Sequence, residues 1–252
     1  MASSRRPVGR GPGSAGGFAE ASAVERRRKA VRVVRAKTAS SRRWLERQLN
    51  DPYVLAAREA GYRSRAAYKL IELNERFALL RPGMRVVDLG AAPGGWSQVA
   101  AQIVRAGKPG GAVVALDLDP IEPIEGVGFL QADALDLATL GAIRDALGAA
   151  QADLVMSDMA APSSGHAATD HLRVMALCEA ALDIADALLA PGGAFVAKVL
   201  KGGTEKALLD RLKQGFRTVK HAKPLSSRAD SAESYVVALG YRGAGEARQD
   251  TG

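Results

Sequence analysis

An α/β domain with a mainly parallel sheet and helices on both faces is what this 252-residue sequence predicts. Three observations lead there. From about residue 44 onward, short β-branched runs alternate with longer segments of helical periodicity. A small-residue turn, GAAPGG (90–95), stands between the first such run and a helical segment, where α/β sheets collect their ligands. The chain is 47% hydrophobic, enough for one sizeable core, and its single cysteine, Cys178, allows no internal disulfide.

The first element is a helix. In SRAAYKLIELNERFALL (64–80), Ala67, Leu70, Ile71, Asn74, Phe77 and Leu80 recur at helical spacing, with Ser64 placed to cap the start and Pro82-Gly83 to stop it. Strands are expected at MRVVDL (84–89), GAVVALDL (111–118), VGFLQA (127–132), ADLVMSD (152–158) and GAFVAKVL (193–200). Two late runs, FRTVKHAK (216–223) and SYVVALGY (234–241), read as further strands. Between them, helices are expected over 95–106, 136–149, 170–189 and 204–214. Cys178 falls on an apolar stripe of the third of these and reads as a small core residue.

The formal charge of +8 is unevenly placed: residues 1–43 hold twelve Lys and Arg against two Glu, a net of +10, and the remainder is −2. Residues 1–43 are therefore read as a basic, disordered arm, 44–242 as the folded domain and 243–252 as a disordered tail. The arm suits nucleic acid, with a solvated tail or an organellar transit peptide as alternatives. No apolar core follows the early arginines as a secretory signal requires, and no stretch approaches the length of a membrane span. A reducing compartment such as the cytosol is expected, or the mitochondrion if the arm is a transit peptide.

Gly90, Gly94 and Gly95 are spaced G-x-x-x-G-G, unlike the dinucleotide fingerprint, and no phosphate-loop lysine follows. A pyrophosphate ligand is thereby disfavoured, and with it an NAD-dependent oxidoreductase. Asp117 ends the second strand, where a carboxylate accepts both ribose hydroxyls of a nucleoside, and Asp133 follows the third, placed for an adenine edge. Each feature also has a plainer use: glycines permit tight packing and strand-end aspartates cap helices. Together they favour an adenosine cofactor bearing positive charge, of which S-adenosyl-L-methionine is an example. His166, His171 and His221 share no metal-ligand spacing, so no metal site is expected, and no serine-nucleophile elbow occurs.

The segments SRRWLERQ, DPYV, GYRSRAAYKL, RPGMRVVDLGAAPGGWSQ, ALDLDPI, FLQAD, VMSDMAAP, LLAPGGAFVAKV and SSRADSAESYVVALG follow one another across residues 41–240. In this order they resemble the FtsJ/RlmE family of ribosomal RNA ribose 2′-O-methyltransferases. The resemblance implies a Rossmann-like methyltransferase fold of seven strands, the last antiparallel, and S-adenosyl-L-methionine as cofactor. It carries the cofactor contacts onto Gly94, Trp96, Asp117, Asp133 and Asp158, and a Lys-Asp-Lys-Glu catalytic tetrad onto Lys69, Asp158, Lys198 and Glu233. SRADSAES lacks an arginine that the family often has before the glutamate. The implied substrate is a uridine ribose in large-subunit ribosomal RNA, on the assembled subunit, for a monomeric enzyme. A tRNA ribose methyltransferase of the same family and a catalytically inactive RNA-binding homologue are the alternatives.

The residue types fit such chemistry. A ribose hydroxyl is a poor nucleophile until a base within hydrogen-bond reach takes its proton. Lys198, in a strand expected to be buried on both faces, is the unusual lysine of the sequence. It is assigned as proton acceptor, Lys69 as support for the developing oxyanion, Asp158 as the group that orients Lys198, and Glu233 as a positioner of the ribose or of Lys69. Taken singly, Lys69 also reads as a solvated helix face, Glu233 as exposed, Trp96 as a core anchor, and Asp158 as the start of a loop, APSSG (161–165), able to cover a substrate. Arg63, Arg65 and Arg228 are expected near the site as phosphate contacts.

Overall fold

The computed structural model describes residues 38–148, 150–200 and 206–243, in two compact units that meet in the chain between Arg65 and Ala66. Most of the expected basic arm and of the C-terminal tail lies outside the described residues.

The first unit holds two helices that periodicity did not announce, α1 (Ala39–Asn50) and α2 (Pro52–Glu59). The twelve residues of α1 include Arg42, Arg43, Glu46 and Arg47, too much charge for an apolar stripe to be legible. Asp51 breaks the two apart and caps α2, its carboxylate accepting from the Tyr53 amide at 3.0 Å, with Pro52 in the first helical position. Arg65 forms an ion pair with the same carboxylate.

The second unit opens with α3 (Ala66–Phe77). Ser64 does not cap it; among the described residues its buried Oγ has no hydrogen-bond partner. The helix also ends before the expected Leu80, because Ala78 takes a left-handed conformation (φ 51°) and the Asn74 side chain accepts from the Leu80 amide at 2.7 Å. After it come β1 (Arg85–Leu89), α4 (Gly95–Val104), β2 (Ala112–Asp117), β3 (Val127–Gln131), α5 (Leu137–Ala146) and β4 (Ala152–Ser157). The chain continues through α6 (Ala167–Leu188), β5 (Leu189–Leu200), α7 (Lys206–Gly215), β6 (Phe216–Ala222) and β7 (Glu233–Tyr241). Every predicted strand is present, and the predicted helices differ from the observed ones by a few residues at their ends.

One seven-stranded sheet results, ordered β3-β2-β1-β4-β5-β7-β6, parallel except for β7, which runs antiparallel to both neighbours. Val86, Val87 and Leu89 of β1, Leu154, Val155 and Met156 of β4, and Phe195, Val196, Ala197 and Val199 of β5 are all fully buried, which is why these strands read as unbroken apolar runs. Cys178 packs in the same core, and burial, with a smaller effect of Glu179, pushes its thiol up to about 12.

The topology places the chemistry. Strands β1 to β5 all end at one edge of the sheet, and the antiparallel β7 begins there, pairing Leu200 with Glu233 and Lys198 with Tyr235. A residue at the start of β7 thus meets residues at the ends of β4 and β5.

Candidate active site

The turn after β1 is built by backbone. Gly90 has φ 76°, and a Cβ there would lie 2.7 Å from the Met159 Cγ and 2.8 Å from its main chain. No side chain fits. The Gly90 and Ala91 amides both donate to the Leu116 carbonyl, and the Ala92 amide donates to Asp117 Oδ2 at 2.8 Å, which ties the turn to the end of β2. Gly94, also left-handed at φ 109°, starts α4 without any side-chain cap, so the first amides of the helix face the turn. Gly90→Ala is expected to cost more than about 2 kcal/mol, from the left-handed backbone and the Met159 clash together. Chemical denaturation measures it, and an unchanged midpoint would mean that the turn relaxes freely.

Asp88, one strand position from the turn's start, is fully buried. Its Oδ2 accepts from Ser97 Oγ at 2.6 Å in the first turn of α4, and among the described residues its Oδ1 has no hydrogen-bond partner. Burial, opposed by the Ser97 bonds and helped by the charges of Asp158 and Asp117, pushes this carboxyl up to about 7. Between about pH 4 and 7 the folded chain therefore keeps a proton that the unfolded chain has lost, so this residue lowers stability as pH rises through that window. Asp88→Asn is expected to remove the effect. The stability of the variant relative to wild type should rise by about 4 kcal/mol from pH 4 to pH 8 in urea titrations, and parallel curves would contradict it.

Four side chains meet beyond the turn, from four elements or their ends. Lys198 Nζ lies 2.8 Å from Asp158 Oδ1, donates to the Asp158 carbonyl at 2.7 Å and stands 3.9 Å from Glu233 Oε2. Lys69 Nζ lies 2.8 and 2.9 Å from the two Glu233 oxygens and 3.7 Å from Asp158 Oδ2. Each ammonium thus contacts both carboxylates. The four side chains are only 10 to 16% exposed, so their charges are compensated by one another more than by water. Burial raises the Asp158 carboxyl, but the Lys198 and Lys69 charges and hydrogen bonds from Lys198 and Tyr235 outweigh it and leave the group below its ordinary value. It is a firm anion.

Tyr235, absent from the sequence reading, completes the cluster. Its hydroxyl donates to Asp158 Oδ1 at 2.6 Å, its ring lies 5.9 Å below Lys69 Nζ, and burial, then the Asp158 and Glu233 charges, holds the phenol well above its usual value. The signal was there: Tyr235 is two residues from Glu233 on one strand and shares its face. Ser227, also missed, donates to Glu233 Oε1 at 2.9 Å.

The remaining predicted positions divide. The Trp96 side chain is 2% exposed, donates through Nε1 to the Ala66 carbonyl at 2.8 Å and packs 5.6 Å from the Tyr235 ring. Its indole joins α4 to α3 and β7, leaving its main chain in the first turn of α4. Asp117 uses one oxygen on Ala92 and the other on the Asp119 amide at 2.9 Å. Asp133 is exposed two residues beyond β3 and accepts from the Leu135 amide at 2.9 Å.

The profile of the FtsJ-like methyltransferases matches residues 62–241 of this sequence. The chain belongs to that family. It is 56% identical over 218 residues to the ribosomal RNA large subunit methyltransferase E of Paramagnetospirillum magneticum, covering 86% of this chain and 89% of that protein. The protein of the same name from Rhodospirillum rubrum is 56% identical over 223 residues, 88% of this chain and 84% of its own. Among solved structures, a ribosomal RNA methyltransferase from Plasmodium falciparum superposes with a TM-score of 0.64 at 29% identity, covering 72% of this chain and all of that one.

As an FtsJ-like methyltransferase, the protein is an enzyme with a Rossmann-like α/β fold, as the sequence implied. Its glycine turn leaves room for a ligand to approach the backbone, where a Cβ at Gly90 would collide and where the helix α4 starts without a side-chain cap, and it carries no phosphate-binding lysine. The loop after Asp158 is pinned rather than loose. Asp170 accepts from the Ser164 hydroxyl and amide at 2.6 and 2.7 Å and from the Ser163 hydroxyl at 2.8 Å, and these bonds, those of Ser164 foremost, bring its carboxyl down to about 2. Of the expected phosphate contacts, Arg63 and Arg65 belong to the first unit, where Arg65 is engaged by Asp51 and lies over the Tyr53 ring. Arg228 follows Ser227 in the loop before β7. No helix among the described residues is long and apolar enough to cross a membrane.

Proposed function

We propose that this enzyme methylates the 2′-oxygen of a uridine ribose in large-subunit ribosomal RNA, on the assembled subunit, with S-adenosyl-L-methionine as donor. It acts as a cytoplasmic monomer. The reading is carried by one observation: two lysines, each touching the same two carboxylates, stand beside a glycine turn suited to a nucleoside. The bacterial relatives named for ribosomal RNA large subunit methylation support the substrate and the compartment.

Gly94, the main chain at Trp96, and the carboxylates of Asp117, Asp133 and Asp158 would hold the donor. When bound, S-adenosyl-L-methionine supplies a sulfonium methyl carbon open to attack by an oxygen. The protein's own residues prepare that oxygen. Lys198, in its neutral form, takes the hydroxyl proton on Nζ while the carboxylate and carbonyl of Asp158 fix the direction of its remaining lone pair. Lys69, held by both oxygens of Glu233, lends positive charge to the ribose oxygen as it becomes anionic. With the donor in place, Lys198 Nζ would keep the proton taken from the hydroxyl, held between the carboxylate and the carbonyl of Asp158. Most of the acceleration comes from alignment.

Methyl transfer from labelled S-adenosyl-L-methionine, offered in parallel to large ribosomal subunits and to tRNA, tests the substrate. Label is expected in the subunits. Label in tRNA and none in subunits would overturn the assignment.

A further inference from the structure

Glu72 lies one turn after Lys69 on α3, so the two side chains leave the same helix face. Its carboxylate binds a loop rather than a cation: the Ser226 amide donates to Oε1 at 3.0 Å and to Oε2 at 3.3 Å. The Leu225 amide lies close to it too. Burial pushes the Glu72 carboxyl up, hydrogen bonding from the Leu225–Ser226 segment pulls it back, and the charge of Glu75 adds a smaller push. The anion is thus sheltered largely by the loop it holds.

That loop leads to Glu233. Ser227, next to the clamped Ser226, donates to Glu233 Oε1 at 2.9 Å, and Glu233 in turn grips Lys69. A ring closes: Lys69, Glu233, Ser227, Ser226, Glu72 and back along one turn of α3. Ser226 is fully buried and Ser227 is 6% exposed, unusual for serines in a loop. The rest of the loop is stiffened from within, as Lys223 Nζ donates to the Ser231 carbonyl at 2.7 Å and Ser227 N to the Pro224 carbonyl at 3.0 Å.

We propose that Glu72 is a positioning residue for methyl transfer, fixing the loop before β7 to the helix of Lys69 so that Ser227 holds Glu233, and Glu233 holds Lys69, in register for the acceptor oxygen. This rests on the reading of the tetrad given above. Glu72 touches no reacting atom; it sets the angle of groups that do, and small misplacements of such groups are costly.

The test compares Glu72→Ala, Glu72→Asp, Glu72→Gln, Ser227→Ala and the Glu72→Ala/Ser227→Ala pair in the full chain. Glu72→Ala is expected to lower kcat on ribosomal subunits about tenfold or more, with the affinity for S-adenosyl-L-methionine, read by calorimetry, within about twofold of wild type. Glu72→Gln, which keeps an acceptor oxygen for the Ser226 amide, should stay within about threefold. The paired variant should be no worse than Glu72→Ala alone, because both act through one chain of contacts. Wild-type kcat in Glu72→Ala, or in the shorter Glu72→Asp should the alanine variant not fold, overturns the proposal, and so do losses that multiply in the pair. Hydrogen exchange at the amides of 225–227, measured without RNA, should quicken in Glu72→Ala; unchanged exchange refutes the clamp whatever the substrate proves to be. Failure of wild type to methylate RNA would instead refute the function proposed above.

Discussion

Lys198→Ala is expected to lower kcat by a factor of about 10² to 10⁴, the range that general-base removal spans, while leaving the affinity for S-adenosyl-L-methionine within a few-fold. The reason is geometric. Lys198 is largely covered near the end of β5, opposite Tyr235, with its Nζ fixed by the side chain and carbonyl of Asp158, and the alanine variant takes away that amine while the glycine turn keeps its own bonds to Leu116 and Asp117. Lys198→Arg should be nearly as impaired, since a guanidinium keeps its proton at any working pH. Single-turnover methyl transfer with excess enzyme measures the chemical step directly. A Lys198→Ala protein with wild-type single-turnover rate would remove the base from the account.

The second large effect belongs to Asp158→Asn. The carboxylate lies 2.8 Å from Lys198 and 3.7 Å from Lys69 and accepts from Tyr235 at 2.6 Å, so the amide leaves two ammonium groups sharing Glu233 alone. Removing one partner from a buried ionic cluster costs about 3–5 kcal/mol, and with 16% exposure at Asp158 the low end, about 3 kcal/mol, applies. Activity should fall with it, because Lys198 loses its orienting bond. The pH dependence has a definite sign. Asp158 titrates below its ordinary value of 3.8 in the folded chain, so its contribution is complete above about pH 4 and is lost only as pH falls through the depressed folded value. In an Asp88→Asn background, where the proton that the Asp158 charge helps hold on Asp88 no longer counts, the stability gap on adding Asp158→Asn should therefore be flat from pH 5 to 8 and narrow only in stronger acid. Urea titrations across that range decide it; a gap that closes between pH 5 and 7 would contradict the assigned direction.

The sheet was legible because its central strands are buried on both faces, and two-sided burial writes itself as uninterrupted runs such as MRVVDL and ADLVMSD. The glycine turn was legible for a related reason: at Gly90 the Met159 backbone lies where a side chain would begin. Lys198 could be singled out alone, as a lysine within a buried strand. The other tetrad members could not. Lys69 and Glu233 stand 164 residues apart in the chain, and no spacing rule says that an amphipathic-helix lysine will meet the first residue of an antiparallel strand. Only the family resemblance brought them together. Local signals failed where backbone conformation outweighed residue preference: Ser64 makes no cap, and α3 stops at a left-handed Ala78 well before Pro82-Gly83. Helix α1 escaped because its arginines resemble those of the basic arm that precedes it, and α2 because eight residues are too short a window for a helical period to show.

The most direct test of the central claim, that the Lys198 cluster delivers a methyl group to a sugar oxygen, is to hydrolyse the labelled RNA product in alkali. A 2′-O-methyl ribose lacks the hydroxyl that attacks the neighbouring phosphate, so the account predicts all label in one alkali-stable dinucleotide, absent when Lys198→Ala replaces wild type. Label recovered in single nucleotides, on a base, would contradict it.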